Sequence, residues 1–426
     1  MTRLHAVDDP VDPRLRPPRW TAEAPPAISR VRIALTGVLG LVAVVWYLTW
    51  LLHPERVGHP LLFVLLVVAE LFNVAQAIGF WWTVARGRAR PHRLRHGDDP
   101  VEVDVLIPVY GEPVEVVEPT VAAATALRGV RARVALLDDG GSADMEALAR
   151  RRGVRYVRRT VHSGAKAGNI NHALGLIDAP FVAVFDCDHV PAPDFFERTL
   201  GHLDDPEVAM VQTPQWYANA DDNDVADAAA AQQCLFFGPI ARGKDARGAM
   251  FCCGTNMVFR RSALEDVGGF PEDSVTEDFQ LSLALHERGW RTAYVSEVLA
   301  QGLGPEDMAS YASQQQRWAR GCLSALPSAF RSDLPWRTRI QYVLSASYFL
   351  TGWTVLLYMS LPLVRILTGA QPVAGADADQ FFTHFAPYFG LALLMVAVTG
   401  AGAYTWRAFA VAFASWWIHV DATIRV

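Results

Sequence analysis

Four long apolar runs constrain this chain more than any other feature. Residues 33–52 carry no charged side chain and residues 61–84 carry only Glu70; after a long polar region, residues 342–364 and 385–406 are again free of charge. A helix needs roughly 20 apolar residues to cross a hydrocarbon layer, so each run is long enough to span one. Arginines set the expected orientation: Arg14, Arg16, Arg19, Arg30 and Arg32 precede the first run and Arg86, Arg88, Arg90, Arg93 and Arg95 follow the second, with Arg56 alone between them. By the positive-inside rule, both ends of this hairpin belong in the cytosol. Arg331, Arg337 and Arg339 stand before the third run, and the connection 368–384 holds Asp377 and Asp379 but no Lys or Arg, as an external loop should, with Arg365 an exception at its edge. The last apolar run, 408–420, is too short to span and suits an interfacial or cavity-lining helix. Glu70, Asn73 and Gln76, three residues apart, fall close to one helical face, and packing against a neighbouring helix is their expected role ahead of lining a pore.

The rest of the composition narrows the partners. A net charge of -6 is small for 426 residues, and the arginines gather beside the apolar runs rather than in one basic stripe, which argues against nucleic acid. Five cysteines (Cys187, Cys234, Cys252, Cys253 and Cys322) without a CxxC pair fit neither a disulfide framework nor a zinc knuckle, so reduced thiols in a cytosolic domain are expected. Residues 1–30, rich in Pro and Arg, lack the apolar core of a signal peptide and read as a disordered cytosolic tail. The expected organisation is then a transmembrane hairpin over 31–85, a soluble α/β domain over 100–335, and transmembrane and interfacial helices over 340–426.

Within the central region, the runs VDVLIP (103–108), VALL (134–137) and FVAVF (181–185) are too short for buried helices and read as buried parallel strands joined by crossover helices. The second runs straight into Asp138 and the third into Asp186, which puts carboxylates at the strand ends where open α/β sheets bind ligands. Asp138-Asp139-Gly140-Gly141 is a tight-turn sequence that would be structural on its own. Asp186-Cys187-Asp188 offers two hard oxygen donors, the ligand type that a divalent cation bridging phosphates requires. Lys166, in the small-residue loop HSGAKAGN (162–169), could pair with a diphosphate, although a solvated surface lysine is the more common fate. Thr276-Glu277-Asp278 precedes a helix expected over 279–288, where acids are ordinary dipole partners. Gln314, Arg317 and Trp318 share one face of another expected helix. No GxxxxGK[ST] or GxGxxG pattern is present, which disfavours an NTPase or a dinucleotide enzyme.

Taken in order, DDG, DxD, TED and QxxRW flanked by apolar helices resemble the cellulose synthase branch of family 2 glycosyltransferases. The resemblance extends to VDVLIPVYGEP (103–113), HSGAKAGNIN (162–171), QTP (212–214) and FCCGTN (251–256), and covers most of residues 100–335. It implies a GT-A-type, Rossmann-like α/β domain inserted between transmembrane segments, multi-pass in the bacterial inner membrane with its catalytic domain cytosolic. It also implies a UDP-sugar donor, UDP-glucose by family analogy, a growing polysaccharide as acceptor, and Mg²⁺ or Mn²⁺ as cofactor, and it leaves room for a periplasmic accessory subunit. By the same resemblance, Glu112, Asp138 and Asp139 contact the nucleotide, Lys166 the diphosphate, and Asp186 and Asp188 the diphosphate and metal. Asp278 matches the general base, with Glu277 beside it. Arg317 would face the diphosphate, and Trp318, Gln314, Cys253 and Gly254 the acceptor. Ending at Val426, the chain reads as a shortened version of that design. Two other readings compete. An enzyme adding one sugar to a lipid carrier is disfavoured by the QxxRW element, and a non-catalytic membrane scaffold or transporter subunit by the retention of every expected acid. Carboxylate glycosidase chemistry is opposed by the membrane anchors.

Overall fold

The computed structural model describes residues 30–95, 100–400 and 405–426. The tail expected over residues 1–30 therefore lies, save for Arg30, outside the described residues. Nine strands are found in the polar region: β1 (Val101–Val109), β2 (Val130–Asp138), β3 (Arg155–Val157), β4 (Phe181–Val184), β5 (Val190–Pro191), β6 (Val208–Gln212), β7 (Met257–Arg260), β8 (Arg291–Tyr294) and β9 (Ala300–Gln301). Seven form one sheet in the order β3-β2-β1-β4-β7-β6-β8, and β5 pairs with β9 as a separate ribbon. β1 to β4 are mutually parallel, β7 runs antiparallel to both its neighbours, and β6 is parallel to β8.

The three strands read from the sequence are neighbours at the middle of this sheet, and the reason they read as unbroken apolar runs is visible in the core. Side chains alternate between faces along a strand. Val103, Val105 and Ile107 enter one core with Val134 and Leu136, while Leu106 enters the other with Ala135, Leu137, Val182 and Val184. Both faces are buried, so no polar alternation is left. Each fully buried Val, Leu or Ile side chain contributes about 1.5–3 kcal/mol. The register, with Val109 beside Asp138 and Leu106 beside Val184, brings Glu112, Asp138 and Asp186 out at one edge of the sheet.

Among the described residues, four helices are long and apolar enough to cross a membrane: Arg30–Leu51, Pro60–Val84, Trp336–Thr368 and Ala378–Gly400. The third is interrupted by a 3₁₀ turn, Tyr348–Leu350. The fourth begins at Ala378 rather than at residue 385, so it takes up part of the loop expected over 368–384. Asp377 caps it by accepting from the Gln380 amide (2.8 Å), and Phe381 packs edge-on against Trp50 (6.2 Å between centroids). The apolar run 408–420 falls on two short helices, Trp406–Ala414 and Trp416–Ile424.

The polar face of Pro60–Val84 packs against the third helix. The Tyr358 hydroxyl donates to Glu70 (3.0 Å) and accepts from Asn73 (2.8 Å), and Gln76 donates to Ser347 (2.8 Å). The α/β domain is mounted on these two helices through the short helix Ala241–Asp245. Arg90 forks onto Asp245 (2.8 and 3.0 Å), and the Lys244 ammonium donates to the Gln341 carbonyl (3.0 Å) and the Ser345 hydroxyl (2.6 Å). Backbones meet directly at Gly243, where an added Cβ would lie 2.3 Å from the Thr83 carbonyl oxygen. Gly243→Ala is expected to cost about 1–3 kcal/mol through overpacking, read as a lower melting temperature in detergent. An unchanged melting temperature would show that this joint has slack.

Candidate active site

Lys166 stands in the first turn of the helix Ala165–Leu174 and is the centre of the site. Its ammonium donates to Asp186, just beyond β4, and to the Gly254 carbonyl (2.8 Å), in the loop before β7. Gly254 has φ +85°, which favours glycine, and an added Cβ would sit 3.2 Å from the Asp278 carboxylate and 3.8 Å from the Lys166 nitrogen. Three distant segments thus converge on one point. The loop carrying Gly254 is itself pinned: buried Gln212 accepts from the Cys253 amide (2.8 Å) and donates to the Thr255 carbonyl (2.8 Å), and the Thr255 hydroxyl accepts from the Asp186 amide (2.8 Å). Burial alone would lower the Lys166 pKa, but the charges of Asp186, Glu277 and Asp278 outweigh it and hold the ammonium above its ordinary value.

Asp278 is the second residue of the helix Glu277–Glu287, which begins two residues before the start expected at 279. Desolvation by the surrounding protein, followed by the charge of Glu277, pushes its carboxyl up to about 7, with Lys166 acting only in part against them. Its carboxylate lines a cavity of about 800 Å³ that runs between the catalytic-side domain and the membrane helices. Cys253, Gln314 and Trp318 line the same cavity, whereas Arg317 does not. Arg317 is exposed and makes no hydrogen bond or ion pair among the described residues. Gln314 and Trp318 share a helical face as expected, and Arg317 turns off it.

The DDG turn sits further along the same sheet edge. Asp138, fully buried, accepts from the amides of Gly140 (2.8 Å), Gly141 (3.0 Å) and Ser142 (2.7 Å) and from the Tyr156 hydroxyl (2.8 Å). These bonds shape the turn and fix where its carboxylate stands at the sheet edge. Asp139 is gripped by Arg159 through two 2.5 Å hydrogen bonds, with His162 3.4 Å away. Burial would raise the Asp139 carboxyl, but the Arg159 hydrogen bonds and charge outweigh it and keep the carboxyl below its usual range. Glu112 accepts from the Tyr110 amide (2.6 Å) within its own turn.

His189 was not singled out in the sequence. The ligand atoms of Asp186, Asp188 and His189 all lie within 4.8 Å of one another. The His189 Nδ1 is 2.9 Å from Asp188, and its buried Nε2 has no partner. Two carboxylates and an imidazole suit a divalent cation such as Mg²⁺ or Mn²⁺, so the residues present fit one. The signal was a ligand-type residue directly after DxD. Arg159 offered no such signal, being one arginine among several between residues 150 and 159.

A parallel half-sheet with carboxylates at its carboxyl edge, joined to an antiparallel extension, defines a GT-A glycosyltransferase fold. A mannosyltransferase from Pyrobaculum calidifontis, solved in complex with GDP-Man and Mn²⁺, superposes with a TM-score of 0.60 at 17% identity, covering 85% of this chain and 98% of that one. The profile described as Glycosyl transferase family group 2 matches residues 181–418, and the chain belongs to that family. Cellulose synthases are among its curated relatives. Cellulose synthase 1 of Komagataeibacter xylinus is 32% identical over 354 residues, which is 80% of this chain and 23% of that one. The UDP-forming cellulose synthase catalytic subunit of Pseudomonas fluorescens (strain SBW25) is 35% identical over 381 residues, 84% of this chain and 51% of that one. The chain therefore spans from about a quarter to half the length of these relatives.

The Arg159–Asp139 pair is 5% and 7% exposed. Arg159→Met should leave a buried, unpaired carboxylate and cost about 3–5 kcal/mol, while adding Asp139→Asn should recover much of the loss. Equal unfolding free energies for the single and double variants would show that the pair is not coupled.

Proposed function

We propose that this chain is a membrane-embedded, inverting and processive glycosyltransferase that extends a β-linked, cellulose-like polysaccharide from UDP-glucose at the cytosolic face of a bacterial inner membrane. The observation that carries this reading is the position of Asp278 at a junction. On one side lies the Lys166–Asp186–Gly254 cluster, and on the other the cavity of about 800 Å³ that holds Trp318 and reaches Gln76 between the membrane helices. The relatives named above are cellulose synthases, and one is described as UDP-forming.

The chemistry follows from the placement. Breaking the anomeric bond leaves negative charge on a diphosphate, and Lys166 is a fixed cation at that end of the site, where preorganised charge helps most. A divalent cation, held by Asp186, Asp188 and His189, supplies further neutralisation of that diphosphate when bound. Asp278 takes the proton from the acceptor hydroxyl. A base is most effective when its pKa lies near the working pH, and general-base help is typically worth about 10² to 10⁴-fold. Trp318 offers an apolar face for an acceptor ring, as aromatic side chains do beneath sugars. A single attack opposite the leaving group inverts the centre, so an α-linked donor gives a β-linked product.

Asp278→Asn should abolish transfer while UDP-sugar binding, measured by calorimetry, is retained. Transfer near the parent level would remove Asp278 as the base. The acid limb of kcat/KM should fall near pH 7, because the base is active only once its raised carboxyl has lost its proton, so the rate drops as pH falls through that value. Glu277→Gln removes a like charge and should move the limb to lower pH. A limb that stays in place would mean another group titrates.

A further inference from the structure

Tyr217, in the segment after β6, is 3% exposed, yet it lines the cavity shared by Asp278 and Trp318. Its ring is held rigidly. An added Cβ at Gly304 would lie 2.7 Å from it, and Gly304 is clamped by Asn219 through hydrogen bonds of 2.7 and 3.0 Å. The Tyr217 hydroxyl accepts from two glutamine amides that come from different helices, Gln233 (3.0 Å) and Gln314 (3.4 Å). Both glutamines also line the cavity.

The hydrogen-bond inventory of this triad is left half used. The phenol donates its own hydrogen to nothing, and the carbonyl oxygens of Gln233 and Gln314 accept nothing, among the described residues. Neither oxygen is sealed in the protein interior, since the buried unpartnered atoms do not include them. One unused donor beside two unused acceptors suits a hydroxyl group, which accepts from the phenol and donates its one hydrogen to either glutamine oxygen. Gln314 lies one helical turn before Trp318, so the triad borders the aromatic face on which an acceptor ring would rest.

The geometry points to Tyr217, with Gln233 and Gln314, as a hydroxyl-recognising acceptor subsite beside Trp318. This rests on the glycosyltransferase reading above and adds to it a residue pair, Tyr217 and Gln233, that none of the sequence motifs contains. The subsite takes a neutral sugar hydroxyl rather than a charged group: all three of its members are uncharged, and a hydroxyl satisfies them without bringing a charge out of water. A sugar lacking that hydroxyl would displace water from these groups without replacing its hydrogen bonds, the arrangement that gives discrimination.

The test uses the full chain in lipid nanodiscs with UDP-glucose as donor and cellobiose as acceptor. Tyr217→Phe keeps the ring against Gly304 and removes only the hydroxyl. It should raise the acceptor KM about tenfold, with the donor KM changing by less than about twofold. Gln233→Leu, which keeps the phenol and removes one amide bonded to it, should move the acceptor KM in the same direction and keeps the test open if Tyr217→Phe fails to fold. An unchanged acceptor KM in both variants, or a rise in donor KM alone, overturns the subsite. A parent protein that transfers no sugar from UDP-glucose overturns the function reading and the subsite with it, whereas an active parent with unaffected variants overturns the subsite only.

Discussion

Three carboxylates, Asp186, Glu277 and Asp278, bear on one lysine, and that balance of charge holds the site together. Without Lys166 they would repel one another in a region partly shielded from water, where Coulomb terms are several times larger than in bulk. The ammonium is not shared evenly. It hydrogen-bonds Asp186 and the Gly254 carbonyl, while it reaches Asp278 only through space. One cation therefore serves two ends differently. Asp186 is tied to the strand edge by its hydrogen bond from Lys166, and Asp278 keeps a carboxyl raised to about 7, basic enough to take a proton near neutrality. A closer Lys166–Asp278 pair would have stabilised the carboxylate and weakened it as a base.

The same economy governs how the domain meets the membrane. The segment Ala241–Asp245 carries no motif, yet Arg90–Asp245, Lys244–Gln341 and the backbone contact at Gly243 all pass through it. Lys244 is buried among apolar and thiol groups, and desolvation lowers its pKa to about 7. It is nonetheless satisfied by three oxygen acceptors, from Gln341 and Ser345. A buried lysine with all its donors used ties two elements together more than it offers a charge to a ligand. The joint fixes the height of Asp278 relative to the helices that form the far wall of the cavity.

The strands were legible because both faces of the sheet are buried, which turns three segments into uninterrupted apolar runs, and because the acids follow them without a gap. The apolar helices were legible for the same reason, a solvent that tolerates few polar groups. The fourth was misplaced at its start because a capping Asp377 and a phenylalanine cluster extend it beyond its purely apolar part. Functions that depend on pairing over long sequence distances were not legible. Gln314 and Trp318 line the cavity while Arg317, three residues from Gln314 on the same helix, is exposed and does not, a division that helical spacing alone did not reveal. The structural part played by Asp138 was only half legible: the turn was expected, but not that its oxygens accept from amides two to four residues on and from Tyr156, a partner brought in by β3.

The polar side chains of the cavity bear on what it could hold. Gln215, Gln232, Gln233, Gln314 and Gln315 gather at its catalytic end with Trp318, and Gln76 marks its reach between the membrane helices. An amide offers both donors and an acceptor at a fraction of the desolvation cost of a charge. Hydroxyl groups can exchange partners along such a surface with little change in energy, because each bond broken is replaced by one of similar strength. A charged lining would instead hold a ligand at one position or reject it. For the proposed acceptor, a neutral chain that must advance by one sugar after each transfer, amides and aromatic faces serve both grip and release. Of the two charged residues that line the cavity, Lys244 is engaged by Gln341 and Ser345, and Asp278 stands beside the donor-end cluster, where the departing diphosphate calls for charge.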